Sequence, residues 1–511
     1  MNGAECVIKA AKDSGIEVCF ANPGTTELPL VVALDTVGGI RPVLGLFEGV
    51  CTGAADGYAR MLRKPAMALL HLGPGLANGI ANLHNAKRAH SKIVTVVGEH
   101  STWHRACEPP LAMDIESLAH LVSGWQRTCS PSDLPGQDMA YAVAASQAGQ
   151  IATLIVPFDL QTKIYNDCDI VPHQHVKPSI SPNKVKSAAA LLKDGKKTAL
   201  VLGGNYIGQD VLMAAARIKQ ACGCDLLTEN FPARIERGAG LPDVRRVPYL
   251  PELAMNMLSA YDTFVFAGAA EPVAFFGYEG IPANYLKEGQ EKFHLSRHDQ
   301  DLLEVLEMLA SDLGAPKVAD AGMLSPLKKP EIPAGALNPA KICQVIAALQ
   351  PEGAIVVDEA VTTSFMYYPV TAGASPISLL TLTGGAIGQG APCATGAAIA
   401  CPDRPVIDFQ ADGAGMYTLQ ALWTQAREGL NVTTLICSNS SYDILKIEYG
   451  RLKVIPGWCA SRLTDLSGID WVSLGRGMGV PSVKVTTAEE LARELGLALK
   501  EPGPHLIQMI I

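Results

Sequence analysis

Residues 406–445 read VIDFQADGAGMYTLQALWTQAREGLNVTTLICSNSSYDIL. An apolar run, VIDFQ, ends at Ala411-Asp412-Gly413. A helical pattern follows, then a second apolar run, VTTLICS, ending at Asn439-Ser440-Ser441. Strand, helix and strand in this order make a βαβ unit and predict a parallel sheet. Asp412 and Asn439 lie 27 residues apart, each just beyond a strand. Ligands of open parallel sheets sit beyond the strand carboxyl ends. A carboxylate and an amide oxygen placed there can share one hard cation, and Mg²⁺ suits such oxygens together with phosphate. Gly413, Ala414 and Gly415 are small, so a diphosphate can approach their backbone N–H groups. Taken singly, Asp412 could simply cap a helix and Asn439 make a turn. The pair, with its spacing and flanks, favours the cation.

The same grammar extends in both directions. Apolar runs that end in Gly, Pro, Asn or Asp, with helical segments between, recur, among them the stretches 17–24 (EVCFANPG), 41–48 (RPVLGLFE), 66–75 (AMALLHLGPG) and 92–100 (KIVTVVGEH). Others are ATLIVPFD (152–159), TALVLGGN (198–205), TFVFAGAA (263–270) and GAIVVDEA (353–360). Proline-rich stretches at 171–184 and 315–339 read as linkers. The expected organisation is three doubly wound α/β domains with parallel sheets, at 1–170, 185–315 and 335–511.

Composition narrows the function. The chain has 511 residues, 48% apolar and 18% charged, with a net charge of −9. That is globular and mildly acidic, so a nucleic-acid partner is not expected. No basic n-region and apolar run marks a signal peptide, and no uncharged run reaches a membrane span's ~18 residues. Thirteen scattered cysteines without CxxC pairs suggest mostly reduced thiols of a cytoplasmic enzyme. The 48 glycines point to many tight turns and close backbone approaches.

Four further stretches carry candidate chemistry. In PVLGLFEGVCTGAADGYAR (42–60), the strand is expected to end at Phe47, with Glu48 opening a helix of small residues. In AMALLHLGPGLANGIANLHN (66–85), His71 ends a strand and Gly73-Pro74-Gly75 is expected to turn the chain. A strand-end histidine can exchange protons at a substrate. NPGTTEL (22–28) forms a loop beyond a strand. TLTGGAIGQGAP (381–392) fails the dinucleotide fingerprint, because the third position falls on Cys393. VLGGNYIGQD (201–210) fails as a phosphate loop.

Together these motifs resemble the thiamin diphosphate enzymes, whose metal motif is GDG followed about 25–30 residues later by NN. Ala411 and Ser438 depart from it, but neither is an expected metal ligand. The likeness runs along nearly the whole chain and is to the acetolactate synthase and benzoylformate decarboxylase branch. It implies pyrimidine-binding, central and diphosphate-binding domains in that order. It implies Mg²⁺ held by Asp412, Asn439 and the Ser441 carbonyl. Pro23, Gly24, Asn78, Thr362, Thr363, Gly413, Ala414 and Tyr442 would then border the cofactor. The Gly385 carbonyl would accept from its aminopyrimidine, and Ile387 would wedge between its rings. Glu48 would hydrogen-bond N1′, with Leu46, Phe47 and Val50 as an apolar surround, and His71 would be the active-site histidine. Thr25, Leu111 and Phe276 would meet the substrate.

The central stretch AEPVAFFGYEG (270–280) lacks the second histidine that some relatives carry. No flavin signature is found, so FAD is not expected. The implied activity is decarboxylation of a 2-oxo acid with possible carboligation, as in acetolactate synthases. The alternatives are a simple decarboxylase of the benzoylformate type and a catalytically silent homologue. The family builds sites across subunits, so a homodimer is the expected minimum and a homotetramer the expected state.

Overall fold

The computed structural model describes residues 1–511 except 167, 169, 171 and 174. Among the described residues three sheets carry the chain. The first has six parallel strands in the spatial order Arg41–Leu44, Val18–Asn22, Ala66–His71, Ile93–Glu99, Ile151–Pro157 and Trp125–Thr128. Ile93–Glu99 and Ile151–Pro157 are buried at every position, as expected of a sheet covered by helices on both faces. The second has five parallel strands, ordered Arg245–Arg246, Asp225–Thr228, Thr198–Leu202, Thr263–Ala267 and Glu291–Ser296. The third has seven, ordered Ser482–Val485, His505–Ile510, Val432–Ser438, Val406–Ala411, Ala354–Glu359, Ile377–Thr381 and Arg234–Arg237.

Arg234–Arg237 pairs antiparallel with Ile377–Thr381, although it lies within the 185–315 span. The Arg234 guanidinium explains its place, donating to the Met61 carbonyl (2.7 Å) and Glu236 (2.7 Å). The middle of the chain is therefore stitched to both flanking sheets.

Local details differ from the sequence reading. The strand before Glu48 stops at Leu44, not Phe47. Phe47 is instead the N-cap of helix Glu48–Leu62, where the chain must leave the sheet before a helix can start. Gly73-Pro74-Gly75 is not a turn but the first turn of helix Leu72–Arg88. Proline fits there because first-turn N–H groups have no helical acceptor. The helix after Asp412 is broken into Asp412–Gly415 and Ala421–Glu428. In the first proline-rich stretch, positions 171 and 174 lie outside the described residues, and Pro182 already opens helix Pro182–Leu192. Cys6 and Cys168 form a disulfide, while eleven other cysteines are free. Their separation of 162 residues gives no spacing signal. Among the described residues no helix is long and apolar enough to cross a membrane.

The first and third sheets meet through helices Glu48–Leu62 and Gly390–Ala400. Glycine allows the contact: a Cβ on Gly396 would lie 1.8 Å from the Ala54 carbonyl oxygen, and one on Gly57 2.0 Å from that of Cys393. Beside this seam the buried Arg60 guanidinium pairs with Asp56 (2.5 Å) and donates to the Thr381 carbonyl (2.8 Å). Neither backbone can move without opening the shared core. Gly396→Ala should therefore cost about 1–3 kcal/mol or more, read as a lower denaturant midpoint. An unchanged midpoint would show that the helices are not locked this way.

Candidate active site

The carboxyl ends of the first sheet gather one group of candidates. Strand Val18–Asn22 delivers Gly24 against the His71 imidazole, where a Cβ would lie 2.3 Å from Nδ1. Glu27 follows in the turn Thr25–Glu27 and is fully buried. Its carboxylate accepts from the Gly24 N–H (2.9 Å) and Thr26 Oγ1 (2.5 Å), and lies 2.8 Å from His71 Nδ1. Thr26 Oγ1 is a further 3.1 Å from that nitrogen. An ionised Glu27 places the hydrogen on Nδ1, which leaves Nε2 to take or give a proton. Gly98 makes room for the carboxylate, since a Cβ there would lie 1.8 Å from Glu27 Oε1.

Glu48 is the first residue of its helix, where the helix dipole favours a carboxylate. Asn78 Nδ2 donates to its Oε2 at 3.0 Å. A Cβ on Gly75 would sit 3.3 Å from Glu48 Oε1 and 3.4 Å from His71 Cβ. One glycine therefore separates the two sequence-derived catalytic candidates. Val50 and Phe47 pack with Ala391 and Ala421 of the third sheet's layer. Leu46 is 46% exposed and is not part of that surround. Pro23 and Thr25 are exposed, so it is Thr26 that reaches His71 in this chain. Leu111 and Met113 are equally exposed, at 43% each, and Met113 stands beside the position a Gly73 side chain would take.

The third sheet gathers the second group. Asp412 Oδ1 accepts from the Gly413 N–H and Oδ2 from the Ser440 N–H, both at 2.8 Å. Ser440 has φ +55°, and that left-handed backbone turns the Asn439-Ser440-Ser441 loop back onto Asp412. Asn439 Oδ1 accepts from the Ser441 N–H (2.9 Å), and its Nδ2 donates to Asp443 (2.8 Å). The residues that the resemblance assigns to the metal are thus adjacent. Burial pushes the Asp412 carboxyl above its usual range, against backbone N–H donors that pull it down. A bound cation would favour the charged form. Tyr442 lies over Gly413, 2.3 Å from where a Cβ would be, so Gly413 and Tyr442 are packed together. The donors are hard oxygens with a single carboxylate, which suits Mg²⁺ shared with a diphosphate. Thr363 is buried beside Cys437 and Cys343, and Thr362 caps the turn Thr363–Met366.

Loop 383–390 joins the two groups. Gly385 and Gly388 have φ of +73° and +99°. The N–H groups of Gly388, Gln389 and Gly390 all donate to Glu359, at 2.8, 3.1 and 2.6 Å. Asn82 Nδ2 donates to the Gly388 carbonyl (3.1 Å), and Asn85 Nδ2 to that of Ala386 (2.7 Å). Asn78, Asn82 and Asn85 thus share one face of helix Leu72–Arg88, holding Glu48 and the loop together. Ile387 is half-buried within this clamp. Phe275 rather than Phe276 stands at Gly385, 2.5 Å from a Cβ position, with Phe276 half exposed beside it. Sequence reasoning missed Glu27, Glu359, Asn82 and Asn85. The asparagines were detectable at i, i+4 and i+7.

The chain matches the thiamine pyrophosphate enzyme family at two domains, its N-terminal TPP binding domain over residues 1–118 and its C-terminal TPP binding domain over 361–509. It is 46% identical, over its whole length and 99% of the relative's, to IlvX of Mycobacterium tuberculosis, a provisional acetolactate synthase large subunit. The chain belongs to the thiamine pyrophosphate enzymes. Another relative of this thiamine pyrophosphate enzyme is the benzoylformate decarboxylase of Pseudomonas aeruginosa, 28% identical over 97% of this chain and 96% of that one. The fold of this chain agrees with that of the Rhodococcus jostii thiamine diphosphate-dependent 4-hydroxybenzoylformate decarboxylase. The TM-score is 0.85 at 24% identity, covering 100% of this chain and 99% of that one. Every sequence-derived site residue except Phe276 falls within the two matched domains.

Proposed function

We propose that this thiamine pyrophosphate enzyme uses thiamin diphosphate and Mg²⁺ to decarboxylate a 2-oxo acid, with carboligation to an acceptor aldehyde. The observation that carries the reading is the grouping of Glu48, held by Asn78, with the His71–Glu27 pair across Gly75. When bound, the cofactor supplies an acidic thiazolium carbon and a ring that accepts the electrons of the broken C–C bond. Asp412, Asn439 and the Ser441 carbonyl would hold the metal. Glu48 would hold and exchange the proton at N1′. Glu27 fixes the His71 ring so that Nε2 can deliver a proton to the departing product. Phe275 and its aromatic neighbours Phe231, Tyr249 and Phe276 would limit water near the loop.

A dimer, and a dimer of dimers, fits this reading. Both are the assemblies expected from the resemblance to the acetolactate synthase and benzoylformate decarboxylase branch. Identity to the benzoylformate decarboxylase supports a second reading, release of aldehyde without ligation. His71→Ala separates the two. Aldehyde release needs an external proton and should fall by about 10²–10⁴, whereas ligation with acceptor supplied should fall less. Paired product assays read the ratio. Equal losses, or wild-type product that is only aldehyde at high acceptor, would remove carboligation from the account.

A further inference from the structure

Strand Val406–Ala411 carries two polar side chains on a buried face. Ile407 and Phe409 pack in one core, so Asp408 and Gln410 share the opposite face of the strand. Both are buried, where strands covered on both sides usually read as apolar runs. In register, Gln410 lies beside Glu359 and Asp408 beside Thr434. The three head groups converge on Gly390, the first residue of helix Gly390–Ala400. A Cβ there would lie 2.5 Å from Gln410 Nε2 and 2.9 Å from both Asp408 Oδ1 and Glu359 Oε2. Glycine leaves the room, and two carboxyl groups fill it.

Their partners are unequal. Glu359 accepts from three loop N–H groups and from Gln410 Nε2 (2.9 Å). Among the described residues Asp408 Oδ2 accepts from Thr434 Oγ1 alone, at 3.3 Å, and Oδ1 has no partner. Two carboxyl groups in one dry site do not both ionise, and the charge belongs where the donors are. The other titratable group facing Asp408 is the Cys393 thiol of the helix, which burial pushes up to about 12. The Arg60 guanidinium pulls that thiol down but is itself paired with Asp56.

We propose that Glu359 is a positioning residue for loop 383–390, carried as the one charge of this cluster, while Asp408 stays a neutral acid. The importance of the loop rests on the function proposed above, whereas the place of the proton does not. A proton on Asp408 removes the stranded charge. Glu359 is then left to hold the three N–H groups that shape the loop carrying Gly385 and Ile387. Burial first, and Glu359 second, push the Asp408 carboxyl well above its usual range. In the unfolded chain it ionises near pH ~3.9. A folded carboxyl that keeps its proton above that pH lowers stability as pH rises.

The test starts with the full chain without cofactor. Infrared spectra at pH 7 should show the carbonyl band of a buried protonated carboxylic acid in the wild type and in Glu359→Gln, and lose it in Asp408→Asn. Asp408→Asn should melt above the wild type at pH 7, by a margin that shrinks toward about pH 4, because the amide has no proton to lose. With thiamin diphosphate and Mg²⁺, Glu359→Gln should bind cofactor about tenfold or more weakly. A band missing from the wild type, or one that survives in Asp408→Asn and vanishes in Glu359→Gln, overturns the proposal. So does an Asp408→Asn chain less stable than the wild type at pH 7. Unchanged cofactor affinity in Glu359→Gln removes the positioning role. A wild type that binds no cofactor would contradict the decarboxylation reading instead, while the band still tests this one.

Discussion

Asp412→Ala is expected to abolish saturable binding of thiamin diphosphate in the presence of Mg²⁺. Asp412 is the one carboxylate in the proposed ligand set, and Asn439 and the Ser441 carbonyl are neutral. Without it a divalent cation faces only dipoles, and the diphosphate loses the charge that holds it. The substitution also strands the Gly413 and Ser440 N–H groups that donate to it, so the Asn439-Ser440-Ser441 loop loses its anchor. Calorimetric titration reads the loss. Cys222→Ser, at the end of helix Gln209–Cys222 in the middle of the chain, should bind normally, and a melt without cofactor separates lost binding from lost fold. Ordinary affinity in the Asp412 variant would end the assignment of this metal site.

Glu48→Gln should bind the cofactor yet turn over about 10²–10⁴ times more slowly, which is roughly 3–5 kcal/mol of barrier. The amide keeps the size, and its oxygen can still accept from Asn78. It cannot exchange a proton. The expected pattern is therefore an unchanged binding isotherm with a collapsed kcat. Near-normal turnover would place the activating carboxylate elsewhere and dissolve the pyrimidine-side reading around Gly75 and Asn78.

The contrast between these two residues and Glu27 shows what the sequence made legible. Asp412 and Glu48 sit at strand-to-helix junctions, where local pattern alone places a side chain at the sheet edge. Glu27 stands in NPGTTEL beside Thr25, yet its partner His71 is 44 residues away, and nothing local says which of the three polar residues turns inward. The structure chooses Thr26 and Glu27, because Gly24 and Gly98 leave room on that side. Glu359 was hidden for a related reason. It reads as a strand end, but its worth lies in three N–H groups of a loop about 30 residues onward. Burial pushes its carboxyl above the usual range, while those N–H groups and Gln410 pull it back.

Fold was legible where periodicity was strong. The buried parallel strands were visible as apolar runs. Arg234–Arg237 was not, since RIER carries three charges in four residues and joins a sheet whose other strands come from far along the chain. Its burial depends on guanidinium contacts that no local window contains.

The most direct test of the central claim is carbon dioxide release, with thiamin diphosphate and Mg²⁺ present, from pyruvate, benzoylformate and glyoxylate by wild type and Glu48→Gln. The account predicts release by the wild type from at least one of the three and a fall of about 10²–10⁴ in the variant with cofactor still bound. Wild-type protein saturated with cofactor that releases none from any of them, or a variant as active as the wild type, would contradict it.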